Sequence, residues 1–471
     1  MPNPGPLVLH AGELAAAAGG RLAAGCSGAR VDGFVIDSRR VRAGDLFVAI
    51  RGTRLDGHRF VAEAVRRGAA GVVVSDASSA EPGAAAPAAP FVIVVPDTTR
   101  ALQSLATFVR RRSTARVVAI TGSVGKTTTK ELVAALLAGS YRVLRNEGNL
   151  NNHIGLPLSL LELRHDPEVA VVELGMNHAG EISTLVAIAE PDIRVWTNVA
   201  EVHSAFFDSI EGIADAKAEI MDGATSASQL VANAGDPRVM ARVAAFPGRV
   251  TTFGVETDAD VRATAVRARG LCGMAATIRT PVGSVPVRTP LLGYGQIANV
   301  TAAVAVAQLF PVPLAELAER IAACPPQPRR GQVIELGDVT IVDDTYNSSP
   351  TALRAALDAV GRETGHARRV AILGEMLELG ERSTALHEAC GRAAADAGFD
   401  VVVAVGGEAA AALADGARAG GLPATAVSTV STGDETAERA PAIVRAGDLV
   451  LVKGSRGIGL DRVVDRLRGQ R

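Results

Sequence analysis

Short unbroken apolar runs alternate along this chain with longer stretches whose apolar positions recur every three or four residues. The runs predict buried strands and the stretches predict helices lying on them, so the alternation points to parallel sheets in an α/β fold. In the first series FVIDSR and DLFVAI predict short strands, HRFVAEAVRRG an amphipathic helix ending at Gly68, and GVVVS a returning strand. The Ala/Pro/Ser-rich stretch from Ala77 to Pro90 predicts a surface loop, with a helix around Arg100–Arg111 after it. At Val117 the rhythm lengthens: VVAIT, VAVVELG, IRVWTNVA and QLVANAG predict buried strands, interleaved with helices such as KELVAALLAG and EGIADAKAEIMDG. VRATAVRA, MAATIRT and GSVPVRT predict a small antiparallel appendage, and IANVTAAVAVAQLF a long helix. The segment CPPQPRRG at Cys324–Gly331 reads as a proline-stiffened linker, beyond which strand and helix alternate again from VTIVDD to LVLVKGS. The predicted domains are residues 1–113, 114–325 and 326–471.

Composition agrees with that division. A chain of 471 residues is about three domains' worth at ~150 residues each. A hydrophobic share of 48% with 21% charged residues excludes a largely disordered chain. Lys and Arg number 48 against 50 Asp and Glu, so no global charge draws the chain to nucleic acid or to an anionic membrane. Cys26, Cys272, Cys324 and Cys390 stand far apart with no CxxC, which argues against a zinc ribbon or a disulfide framework and suits a reducing compartment. The N-terminus lacks a basic, then apolar leader, and no apolar run approaches the ~18 residues of a membrane span. A cytoplasmic protein without membrane insertion is the expectation. The 49 glycines beside only 3% aromatics imply that some glycines lie where backbone approaches a ligand.

The strongest chemical signal is Thr121-Gly-Ser-Val-Gly-Lys-Thr-Thr-Thr129, placed between a buried strand and a helix. Gly122 and Gly125 let N–H groups of the loop, Ser123 and Val124 included, turn inward. Lys126 can reach terminal phosphates, the Thr127 hydroxyl can ligate Mg2+, and Thr128 extends the helix N-terminus. The loop is shorter than the strict pattern, since Ile120 stands where a further glycine would be. This reads as nucleotide binding, but hydrolase, kinase and ligase chemistry could all use it.

Eight ordered segments resolve that ambiguity. DSRRVRAGDLFVAIRGTRLDGHRFVAEAVRRGAAGVVV, TGSVGKTTTKE, NEGNLNNHIGLPLSLL, VVELGMNHAGEI, TNVAEVHSAFFDSIEGIADAKAEI, VDDTYNSSPTAL, LGEMLELGERSTALH and LVKGSRG together resemble the Mur ligase family, almost end to end. The resemblance implies three α/β domains: an N-terminal UDP-sugar-binding domain, a central P-loop-type ATPase with a mostly parallel sheet, and a C-terminal Rossmann-like domain. It implies ATP- and Mg2+-dependent joining of D-Ala-D-Ala to UDP-MurNAc-tripeptide through an acyl phosphate, by a cytoplasmic monomer. A diamino-acid-adding sister ligase would carry D-N-P-R in its third domain, and that motif is absent. A non-catalytic nucleotide-binding paralogue is the other alternative.

The resemblance also assigns residues. Lys126, Glu173, His203 and Lys217 would be catalytic, with Thr127, Glu173, His203 and Lys217 around the metal and Lys217 carbamylated by CO2. By residue type alone, His203 reads as structural and Lys217 as a solvated helical lysine. Around His203 the family's G-x-x-H-L-E is replaced at Ala200, Ser204 and Ala205. Asn233, Asn299, Arg330, Asp344, Tyr346 and Asn347 would contact ATP, although Gly295-Gln296 stands for the family's His-Asn before Asn299. Ser38, Arg39, Asp56 and His58 match the uridine-diphosphate site. Asn149, Asn151 and Asn152 supply uncharged donors and acceptors for the peptide-bearing sugar, and Lys453, Ser455 and Arg456 suit the dipeptide carboxylate or nearby phosphates.

Overall fold

In the computed structural model, which describes residues 5–80, 89–201 and 206–469, the apolar runs become strands of three main sheets. The first contains Arg21–Ala24, Phe91–Val94, Gly71–Val74, Asp45–Val48 and Gly33–Val35, in that spatial order. Only its edge strand Arg21–Ala24 runs antiparallel. The predicted helix around Arg100–Arg111 spans Thr98–Arg112, with Asp97 accepting from the Thr99 and Arg100 N–H groups as its cap. Part of the Ala77–Pro90 loop, residues 81–88, lies outside the described residues.

The central sheet has nine strands, ordered Gly283–Thr289, Met274–Thr280, Val261–Ala268, Arg249–Val255, Gln229–Asn233, Ile193–Trp196, Arg116–Thr121, Val169–Glu173, Val143–Arg145. From Val143–Arg145 across to Val261–Ala268 every pairing is parallel. The three strands expected as a separate appendage therefore extend the main sheet. Val261 pairs in register with Phe253, and only the last two pairings are antiparallel. The reason is burial: Phe253, Val261, Ala263, Met274 and Ile278 share one apolar cluster with helix Tyr294–Ala307, so detaching the hairpins would expose that layer. Tyr294–Ala307 is almost wholly buried from Ile297 onward, and its alanines let it pack closely against the helix Lys126–Ala138 and the sheet.

The third sheet runs Gln332–Leu336, Val339–Asp344, Asp448–Lys453, Arg368–Gly374, Val401–Val405, Val427–Val430, parallel except for the first hairpin strand. Helices cover both faces, since alternate strand residues fall into two clusters with different helical partners. Across one of these layers Gly391 and Gly416 allow helices Ser383–Asp396 and Glu408–Ala419 to touch backbone to backbone; a Cβ on either would strike a carbonyl of the other helix. Arg368 forks onto the fully buried Asp448 at 2.7 and 2.9 Å and ties two central strands together. Among the described residues no helix is long and apolar enough to cross a membrane.

In the central sheet, Arg116–Thr121 lies between Ile193–Trp196 and Val169–Glu173, so the chain leaves it to opposite sides. That reversal opens a crevice at the carboxyl ends of the strands, where ligands bind in open α/β sheets.

Candidate active site

The phosphate loop fills that crevice. Its glycines are demanded by geometry: Gly122 has φ +146° and Gly125 φ +88°, and an added Cβ would run into the Thr197 hydroxyl at Gly122 or the Asn299 amide at Gly125. Asn198 clamps the loop reciprocally, accepting from the Val124 N–H and donating to the Val124 carbonyl, each at 2.9 Å. Ser123 exchanges hydrogen bonds with the backbone of Ala200. Asp236 caps the helix Pro237–Val243 and accepts from the Val199 N–H at 2.7 Å, which holds the clamp itself. Sequence reasoning missed Asn198 and Asp236. Their signal was a polar residue at a strand end and an Asp-Pro helix start.

Glu173 ends its strand facing the loop and is buried. One carboxylate oxygen accepts from the Thr127 hydroxyl at 2.6 Å and the other from the Asn151 amide at 2.7 Å. Thr127 also accepts from the Arg330 guanidinium at 3.1 Å, which comes from the linker segment and lies 3.8 Å over the Tyr346 ring. Lys126 donates to the carbonyls of Gly122 and Ser123 at 2.8 and 3.2 Å. Burial lowers its pKa, opposed by the Glu173 charge and assisted by that of Arg330. Lys217, on helix Ile210–Ala218, is 1% exposed rather than solvated. Burial, and then the Lys126 ammonium, hold its pKa well below the lysine range. His203 lies outside the described residues.

These groups converge, and the other residues predicted from sequence stand as follows. Asn152 accepts from the Ile154 and Gly155 N–H groups where the following helix begins, while Asn149 is exposed. Asn299 is buried beneath the loop, bonded to Thr129 and Gln296, and so supports the turn at Gly125. Asn233 donates to the Thr197 carbonyl and accepts from the Gly235 N–H. Lys453 is buried against Asp344 at 2.6 Å and also donates to the Asn347 carbonyl at 3.0 Å. Ser455 accepts from the Leu377 N–H. Arg456 lies 5.9 Å from Tyr346. A cavity of about 520 Å³ beside Tyr346 is lined by Arg329, Thr432, Gly433, Arg456 and Arg462.

The residues predicted around the first sheet lie in the turns that follow strands Gly33–Val35 and Asp45–Val48. Asp37 accepts from both the N–H and the guanidinium of Arg39, whose hydrogen bond lowers the Asp37 pKa. Ser38 donates to Glu63. Asp56 pairs with His58 Nδ1 at 2.6 Å, and His58 Nε2 accepts from the Ser75 N–H at 2.9 Å, which assigns the ring proton to Nδ1. Two contacts bring the third sheet's unit to the crevice: Arg330 on Thr127, and Arg382 on Glu201 at 2.7 Å.

Among the described residues no three His, Cys, Asp or Glu side chains gather as a metal cage. Mg2+ rarely uses one; it takes one or two protein oxygens together with substrate phosphates and water. Glu173 and Thr127, hard oxygen donors at the mouth of a phosphate loop, fit that habit.

Three family models match the chain: the Mur ligase middle domain over residues 120–307, the Mur ligase glutamate ligase domain over 329–456, and the Mur ligase family catalytic domain over 19–110. A UDP-N-acetylmuramoyl-tripeptide–D-alanyl-D-alanine ligase of Bacillus subtilis is 34% identical over 441 residues, 93% of each chain. Among solved structures, MurF from Acinetobacter baumannii is similar with a TM-score of 0.87 and 31% identity, covering 98% of this chain and 99% of that one. MurF ligase from Thermotoga maritima in complex with ADP is similar with a TM-score of 0.80 and 30% identity, over 94% of this chain and 99% of that one.

Proposed function

The chain belongs to the Mur ligase family, and from that premise we infer that it joins D-Ala-D-Ala to UDP-MurNAc-tripeptide at the expense of ATP. The product is the UDP-MurNAc-pentapeptide precursor of peptidoglycan, with ADP and phosphate released. The observation that carries the reading is a phosphate loop whose Thr127 is bonded to a buried carboxylate, Glu173, and to Arg330 of the linker segment. When bound, ATP with Mg2+ supplies the phosphoryl group that converts the tripeptide's terminal carboxylate into an acyl phosphate.

The residues meet the resulting electrostatic problem, which is an anionic carboxylate approaching an anionic triphosphate. Lys126, within the loop, and Arg330, bonded to Thr127 from the linker segment, would bring positive charge to the phosphates. Thr127 and Glu173 would hold Mg2+, with His203 and a carbamylated Lys217 beside it. Two features favour carbamylation. Lys217 is buried with its pKa depressed, so it presents the neutral amine that reacts with CO2, and the anionic carbamate would be attracted by the neighbouring Lys126 ammonium that disfavours a protonated Lys217. Asn151 orients Glu173, while Asn149, Ser38, Arg39, Asp56 and His58 border the sugar-nucleotide side. Tyr346, stacked by Arg330, would contact the nucleotide, with Asp344 held for it by Lys453. Arg456 and Ser455 would receive the dipeptide carboxylate. Approach of the third domain would exclude water from the acyl phosphate. A reaction that consumes ATP and a UDP-sugar would run in the cytoplasm.

Phosphate release measured with UDP-MurNAc-tripeptide, with and without D-Ala-D-Ala, tests this reading. Release that requires both substrates is expected. Release indifferent to the dipeptide would overturn it.

A further inference from the structure

Lys130 has no role in the chemistry above, yet it is fully buried, one helical turn after Lys126. Its ammonium donates to the Asn146 carbonyl at 2.5 Å and pairs with Glu131 at 3.0 Å, which in turn meets Arg145 at 2.8 Å. Asn146, also buried, spends its side chain in two directions. Its oxygen accepts from the Glu173 N–H at 2.9 Å, and its amide donates to the Leu150 carbonyl at 2.9 Å. Leu150 adjoins Asn151, which donates to the Glu173 carboxylate. Thr127, three residues before Lys130 on the same helix, closes the circuit by donating to the other carboxylate oxygen.

We propose that Lys130 and Asn146 are positioning residues that fix the Glu173 carboxylate against Thr127 for the divalent cation of the nucleotide. A carboxylate at a strand end is held by its backbone and by whatever touches its two oxygens. Here both kinds of restraint lead to Asn146, and Asn146 is pinned by a buried cation. Burying an ammonium is costly unless it is paired and hydrogen-bonded. Lys130 meets that condition through Glu131 and the backbone carbonyl of Asn146, just after strand Val143–Arg145. Partners of this kind orient metal-binding groups, and their loss lowers metal affinity by about 10–100-fold.

The inference rests on the metal reading of Glu173, so the test separates the two. ADP binding is titrated in EDTA and in Mg2+ for the wild type, Lys130→Met and Asn146→Ala, with circular dichroism and thermal melting to establish folding. For the wild type, Mg2+ is expected to tighten ADP. In the folded variants that gain is expected to shrink about 10–100-fold, with ADP affinity in EDTA within about twofold of wild type. If Lys130→Met fails to fold, Asn146→Ala decides, since it keeps the Lys130–carbonyl bond and removes only the side-chain bonds to the Glu173 N–H and the Leu150 carbonyl. Folded variants with the wild-type Mg2+ gain, or with equal losses in EDTA and in Mg2+, would overturn the positioning role. A wild type whose ADP affinity ignores Mg2+ would overturn the metal reading itself, and the inference with it.

Discussion

Arg330 is the group whose removal should be felt most sharply in the rate. It donates to Thr127 at 3.1 Å and lies 3.8 Å over Tyr346, whose own N–H donates to the Arg329 carbonyl at 3.0 Å. With nucleotide bound, the guanidinium would exchange the Thr127 hydroxyl for a phosphate oxygen. A hydrogen bond involving a charged group is worth about 1.5–3 kcal/mol, and a cation over an aromatic face about 0.5–2 kcal/mol. Arg330→Ala removes both, about 2–5 kcal/mol together, which is roughly a 30- to 4,000-fold loss in kcat/KM for ATP at ~1.36 kcal/mol per decade. Tyr346→Leu removes only the stack and should cost about 2- to 30-fold. Arg330→Lys keeps the charge but loses the planar fork, so it should fall between the two. Initial rates of phosphate release measure all three. An Arg330→Ala enzyme within about threefold of wild type, where the expected loss is at least ~30-fold, would refute the placement of Arg330 on the reacting phosphates.

Three other substitutions probe the rest of the site. Glu173→Gln leaves the Thr127 hydroxyl a partner but removes the anionic donor; the Mg2+ concentration for half-maximal rate should rise by about 10–100-fold, read from a metal titration. Lys217→Met should be inactive and, in CO2-free buffer, more stable than wild type. The lysine's pKa is lowered on folding, so between its folded and unfolded values the unfolded chain binds more protons and stability rises with pH. The stabilisation by Met should therefore be largest on the acid side of that window and shrink towards the ordinary lysine pKa. Thermal melts across pH check this, and labelled bicarbonate appearing on Lys217 of the wild type checks the carbamate. Gly125→Ala places a Cβ at φ +88° against the Asn299 amide; the left-handed backbone alone costs ~1–2 kcal/mol, and ADP affinity should fall by about 5- to 30-fold, which is what that strain implies.

The buried apolar runs were legible because they are long and uniform, which is why Arg116–Thr121, Val169–Glu173 and Asp448–Lys453 sit where VVAIT, VAVVELG and LVLVKGS predicted them. The hairpins after Arg249–Val255 misled because alternation signals an antiparallel strand but not which sheet it joins; register with Phe253 decided that. Strand Val427–Val430 and helix Gly433–Ile443 went unread, the one exposed at Ser428 and Thr429 and the other interrupted by Pro441. At the site, the Gly-Lys-Thr motif announced the loop because its glycines answer a backbone requirement. Asn198 and Asp236 offered only the weak signals of a polar strand end and an Asp-Pro helix start, and Asn146 and Lys130 lay inside quoted segments with nothing to single them out, since a residue that acts by holding another carries no motif of its own. Nor do residue types show what Asn152, Asn299 and Lys453 hold in the fold, where they bond to the Gly155 N–H, to Gln296 and to Asp344.

The central claim, ligation of a D-Ala-D-Ala dipeptide to UDP-MurNAc-tripeptide, is tested most directly by product identity under competition. The protein would receive ATP, Mg2+, UDP-MurNAc-tripeptide and D-Ala-D-Ala together with UDP-MurNAc-dipeptide and a diamino acid, and the products would be resolved by mass spectrometry. UDP-MurNAc-pentapeptide formed in step with ADP is the predicted result. Extension of the dipeptide precursor by the diamino acid, or ATP consumption without any ligated product, would contradict it.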